Sequence, residues 1–136
     1  MRLEGLADRL QSAGLGTLGT DLFVYIMPDT VTEGVLLRTT PADAAGAPIG
    51  ATVDHELPGY RPGARMQLVV RAPTYPAGFD KARAATAALR VEKPVDICGD
   101  HFNFIRDLHE PIVHPRADGS LEFAVNFVCN YVAQSS

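Results

Sequence analysis

"LEFAVNFVCNYV", residues Leu121 to Val132, is the stretch from which the architecture can be read. Leu121, Phe123, Val125, Phe127, Cys129 and Tyr131 alternate with Glu122, Ala124, Asn126, Val128, Asn130 and Val132. That period of two belongs to a β-strand, whose successive side chains point to opposite faces of a sheet. One face is wholly apolar and the other only half polar, so the spacing predicts a long strand covered in part on both sides. The turn signal "ADGS", Ala117 to Ser120, precedes it.

Working outward, "ARMQLVVR" (Ala64 to Arg71) sets Met66, Leu68 and Val70 against Arg65, Gln67 and Arg71, with only Val69 breaking the alternation. This predicts a half-buried strand. Val95–Ile97 and Phe102–Ile105 read as a hairpin around "CGDH", Cys98 to His101. "DLFVYIM" (Asp21 to Met27) is a continuous apolar run closed by Pro28 and Asp29, the pattern of a buried strand. "GVLLRTT" (Gly34 to Thr40) follows the turn Pro28 to Gly34 as a second strand. Leu3, Leu6 and Leu10 fall on one helical face within Arg2 to Ala13, and Gly14 stands where a helix-ending glycine belongs. Phe79, Ala82, Thr86 and Leu89 line a second helix from Gly78 to Arg90.

The order is therefore helix, two strands, a long connection from Pro41 to Gly63 rich in Ala, Gly and Pro, strand, helix, then three strands. Neighbouring strands joined by turns imply an α+β fold: a mostly antiparallel sheet, two helices packed on one face, and a long loop or hairpin arm. Residues 1–136 contain no repeat and no linker, which predicts a single domain.

Composition restricts the function classes. With 46% hydrophobic and 21% charged residues the chain reads as an ordinary globular one. No apolar run approaches the ~20 residues that span a bilayer, so no membrane partner is expected. Glu4 and Asp8 interrupt the leucines of the N-terminal stretch, unlike a signal peptide, and synthesis in the cytoplasm is the expectation. A net charge of −4 argues against gripping nucleic acid by bulk electrostatics. Cys98 and Cys129 form no C-x-x-C pair and read as free thiols.

The chemical motifs dissolve in their contexts. Gly14, Gly16 and Gly19 have the G-x-G-x-x-G spacing of a dinucleotide loop, but that loop must follow a strand and open a helix. Here a helix precedes and a strand follows, so the glycines read as a helix cap and turn. "HEPIVH" opens like a zinc motif, yet His109 and His114 are separated by Pro111 and followed by Pro115, which no helix tolerates; it reads as a polar connection between strands. Nothing in the spacing brings Cys98, His101, His109 and Cys129 to one metal, and no nucleophile motif is present. The expectation is no catalytic residue, no metal site and no cofactor.

Two features point instead to function by contact. One is the connection Pro41–Gly63, with Asp43, His55, Tyr60 and Arg61 as candidate assembly contacts. The other is the strand face bearing Asn126 and Asn130, opposite the aromatics, which is suited to meeting another subunit.

"GLGTLGTDLFVYIMPD", "MQLVVRAP", "FDKARAATAALR" and "ADGSLEFAVNFVCNYV" resemble, in that order and spacing, the small minor capsid or tail terminator proteins of siphophage-type tailed bacteriophages. The likeness runs from Leu3 to Val132. Its strongest pieces are the Gly-Leu-Gly start, the "PD" closing the first strand, the Arg-ended middle strand and the terminal strand. "PADAAGAPIG" departs from the family's usual Gly-rich turn. The resemblance implies a non-enzymatic virion subunit without cofactor, forming a ring, typically a hexamer. Such a ring caps the head-proximal end of the tail tube, ends its polymerisation and presents a surface to head-completion or stopper proteins, with DNA passing through the lumen without specific binding. The alternatives are another neck component, or a small ligand-binding or enzymatic domain in which His101, His109 or Cys98 would be required.

Overall fold

The computed structural model describes residues 1–39 and 64–133. Helix α1 (Leu3–Ser12) leads into β1 (Leu22–Val24), β2 (Gly34–Thr39) and β3 (Ala64–Ala72). Helix α2 (Tyr75–Leu89) is followed by β4 (Val95–Ile97), β5 (Asp100–Asp107), β6 (Ile112–Pro115) and β7 (Leu121–Ala133). The sheet order is β1-β2-β3-β7-β5-β4, with β6 also on β7. This is the expected α+β architecture. The connection 41–63, with Asp43, His55, Tyr60 and Arg61, lies outside the described residues.

β7 is the centre of the sheet because both of its edges are used. Residues 121–129 pair with β3 on one side, while the other side takes β6 at residues 121–124 and β5 at 127–133. Phe123, Val125, Phe127 and Cys129, all fully buried, share the helix-covered face with Met66, Leu68 and Val70 of β3 and with Leu3, Leu6, Leu10 and Leu89 of the helices. The opposite face has its own smaller cluster, in which Met27, Leu36 and Val69 are packed by Phe23 and Val31. The exception at Val69 is thereby explained: it is apolar because a turn covers that half of the face.

The glycines end α1 as read. Gly14 N–H donates to the Gln11 carbonyl and Leu15 N–H to the Leu10 carbonyl, both at 3.0 Å, a Schellman closure with Gly14 at φ 81°. Cys98 and Gly99, at φ 53° and 89°, make the two-residue turn between β4 and β5.

Four readings differ from the expectation. β5 runs from Asp100 to Asp107 rather than Phe102–Ile105, so Asp100 and His101 belong to the strand and only Cys98 and Gly99 turn. β1 keeps only three residues of the run Asp21–Met27 and pairs with β2 in parallel, because the chain leaves the sheet at Tyr25 and crosses its open face before entering β2. α2 starts at Tyr75 rather than Gly78. Pro76 is tolerated in that first turn, where its missing N–H has no intrahelical acceptor. "HEPIVH" runs into β6, four residues against β7 that follow Pro111 and end on Pro115; so short a strand, with a proline inside it and open along one edge, carries too little pattern to announce itself.

Candidate assembly surface

The departure at Tyr25 builds the first feature. Its φ is 73°, and Ile26 N–H donates to the Val24 carbonyl at 3.0 Å, forming a γ-turn of positive φ, which is rare and strained for a non-glycine residue. The turn throws Tyr25 and Ile26 outward, 50% and 76% exposed, while Met27 turns back into the cluster on Leu36 and Val69.

Two arginines pin the segment from Pro28 to Val31. Arg71, at the end of β3 and 8% exposed, donates from Nη1 to the Pro28 and Val31 carbonyls (2.8 and 3.2 Å) and from Nε to Glu122 (3.0 Å). Arg116 donates to the carbonyls of Asp29 (2.8 Å) and Val31 (3.3 Å) and to Ser120 Oγ (3.1 Å). A buried guanidinium is tolerable only with such partners. The "PD" pair and the Arg-ended middle strand thus meet in space: Arg71 holds the carbonyl of Pro28 and lies 4.0 Å from the Asp29 carboxylate. Beside Arg116, the Ser120 hydroxyl (2.6 Å) and N–H (2.9 Å) donate to Asp118. These bonds, with the Arg116 charge, hold its carboxyl below the ordinary aspartate value.

The second feature is the half of the open sheet face that the turn leaves uncovered. Strand register sets its rows. Arg38, Gln67 and Asn126 lie side by side across β2, β3 and β7, and Arg65, Val128 and Arg106 across β3, β7 and β5. Arg38 donates from Nε and Nη2 to Gln67 Oε1 (2.8 and 2.6 Å), and Gln67 passes a bond to Asn126 Oδ1 at 3.0 Å. Asn103, on the bulge in β5, donates to Asn130 Oδ1 at 2.6 Å. Asn126 and Asn130 therefore stand opposite the aromatics, as their parity predicts. Asn126 is half-buried, and Asn130 is 9% exposed. Arg106 stacks over the Phe104 ring, 4.2 Å from its centroid. Among the described residues, Arg38, Arg65 and Arg106 have no ion-pair partner.

The candidates for chemistry are engaged differently. His109 donates from Nδ1 to the Glu110 carbonyl (2.7 Å) and accepts the Asn126 N–H at Nε2 (3.2 Å). The ring fills the gap along β7 where pairing passes from β5 to β6. It lines a cleft of about 200 Å³ with Thr86, Arg90 and Asp107, in which Arg90 donates to Asp107 at 2.8 and 3.0 Å. His101 pairs with exposed Asp96 at 2.7 Å. Cys98 is exposed and Cys129 buried. Among the described residues no three His, Cys, Asp or Glu side chains converge on a metal-sized site.

Sequence reasoning missed Tyr25, Ile26 and the arginines that lack an ion-pair partner among the described residues. The first two sit inside an apolar run that reads as core. The arginines could have been found from parity alone, since Arg38 and Arg65 occupy outward positions on adjacent strands.

No curated protein matches the chain. The family described as bacteriophage tail terminator protein matches residues 9–133, from within α1 to the end of β7. With nearly the whole fold inside that match, the chain belongs to the bacteriophage tail terminator family, a structural component of the phage tail.

Proposed function

We propose that the protein assembles into a closed ring, a hexamer, on the head-proximal end of the tail tube, where it ends tube polymerisation and supplies the docking surface for the head-completion or stopper protein. The single observation that carries the reading is the family match over residues 9–133. A surface on which strained and exposed groups stand beside arginines without an ion-pair partner among the described residues is in keeping with it. Closed rings need heterologous contacts, in which two different patches of each copy meet. Asn126 and Asn130 belong by this reading to the contact face, together with Asp43, His55, Tyr60 and Arg61 of the connection 41–63. DNA crosses the lumen without specific binding, and the net charge of −4 favours passage over retention.

The test is the solution mass of the purified protein by light scattering, with negative-stain images of the same sample and of tail tubes incubated with it. The expected species is about 88 kDa, six times 14.6 kDa, a ring with a central hole that sits on one tube end. A chain that stays monomeric and leaves tube ends bare and growing refutes the reading.

A further inference from the structure

We infer that successive copies are joined by the Tyr25–Glu33 turn of one copy seated on the arginine-bearing half of the open sheet face of the next. The inference rests on the ring reading and names its contact.

The two surfaces complement each other in both polarity and charge. The turn presents Tyr25 and Ile26, apolar and exposed, beside Asp29, whose side chain is fully exposed, and exposed Glu33. The sheet face presents half-buried Val128 between Arg65 and Arg106, with exposed Leu108 on the adjoining row. An apolar centre with a carboxylate rim thus faces an apolar centre with a guanidinium rim, the arrangement that sets register and excludes wrong partners.

Position makes the contact heterologous. The turn crosses from β1 to pack on Leu36 and Val69 beside Arg71, and the receiving patch is the neighbouring half of the same face over β3, β7 and β5, so the two patches are different surfaces. Joined head to tail, such contacts close into a ring or grow as a filament, whereas reciprocal seating would stop at two copies, a mass that light scattering separates from the ring. Strain points the same way. A non-glycine residue at φ 73° costs stability in the isolated subunit and is held by Arg71 and Arg116, so the turn reaches the interface already ordered. The occupant is a second copy rather than nucleic acid because the ring surrounds DNA. Arginines left open to the lumen would hold its phosphates, whereas pairing them with Asp29 and Glu33 of a neighbour withdraws them from the path.

The test compares four full-length proteins by light scattering, with circular dichroism melts to show that each folds. Arg65→Glu with Arg106→Glu should drop the mass from the ring to one copy, and so should Asp29→Arg with Glu33→Arg. The four substitutions together should restore the ring, a rescue that a folding defect cannot imitate. Independently, Ile26→Cys with Val128→Cys in a Cys98→Ser background should give an oxidative ladder of multimers on denaturing gels, while either cysteine alone gives none. Assembled wild type with both charge-reversed pairs still assembled, or with no cysteine ladder, overturns this contact and leaves the ring standing. A wild type that forms no ring, free or on tube ends, overturns the ring and this contact together.

Discussion

Gly78→Ala should destabilise the protein, although the same change in an exposed helix would stabilise it. Gly78 lies one turn into α2, where alanine is favoured over glycine by about 0.5–1 kcal/mol. The obstacle is Phe123. A Cβ at position 78 would fall inside the ring's contact surface, with Cδ1 and Cζ each at 2.6 Å. Cε1 lies nearer still, and ordinary van der Waals contact begins near 3.4 Å, so helix and strand must part by more than an ångström. The ring has nowhere to go: Phe123 is fully buried on the central strand, with Tyr75 at 5.7 Å between centroids. Overpacking of that kind costs roughly 1–3 kcal/mol, and the upper half of that range applies when the obstacle is a rigid buried ring. The net loss is then about 1–2 kcal/mol, a fall in melting temperature of roughly 5 °C for a chain of this size. Urea unfolding followed by circular dichroism measures it. Phe123→Leu supplies the control. In that background Gly78→Ala should be neutral or slightly stabilising, a coupling of about 1–2 kcal/mol across the cycle. A Gly78→Ala protein as stable as wild type would refute the close helix–sheet approach on which the packing of α2 rests.

Phe127→Ala should cost about 3–5 kcal/mol and abolish soluble protein, since Phe127 is fully buried on the helix-covered face of β7; a soluble, stable variant would place that strand face wrongly. His109→Ala removes the acceptor of the Asn126 N–H. It should cost about 1 kcal/mol in urea unfolding and speed hydrogen exchange at that amide, and unchanged exchange would count against the gap-filling role. The lowered Asp118 carboxyl stabilises the fold at pH values above its unfolded value, and that contribution is lost as pH falls below about 4 through the folded value. Asp118→Asn should flatten that part of the stability–pH curve, and superimposable curves would dismiss the role of the Ser120 bonds. Deleting residues 43–60 should leave a hairpin-length link between β2 and β3, which remain paired up to Thr39 and Met66, and so spare folding. It should also block the joining of tails to heads, so infectious particles carrying the deletion would remove that connection from the assembly surface.

How much was legible in the sequence depends on the range of the interactions concerned. The alternation of β7 is a local property, and it placed Phe123 and Phe127 in the core and Asn126 and Asn130 opposite them before any partner strand was known. The end of α1 was equally local, since a Schellman closure involves six consecutive residues. β6 escaped because four residues that follow one proline and end on another hold too few alternations to be counted. The parallel pairing of β1 with β2 escaped for a different reason. The turn that returns the chain alongside β1 is held by Arg71 and Arg116 reaching its carbonyls from 43 and 87 residues away, and nothing within the run Asp21–Met27 records them.

That second failure bears on function. An apolar run read as buried strand is the expected interpretation when hydrophobicity reports only on the interior of one chain. Tyr25 and Ile26 break it, being exposed on a backbone whose strain stands against the cost of covering them. The cover that Met27 and Val31 give Leu36 and Val69 accounts for the turn, but not for two large apolar side chains held outward together at its edge. The proposed assembly would give that placement a reason, because residues that are wrong for the interior of one subunit suit a surface shared between subunits.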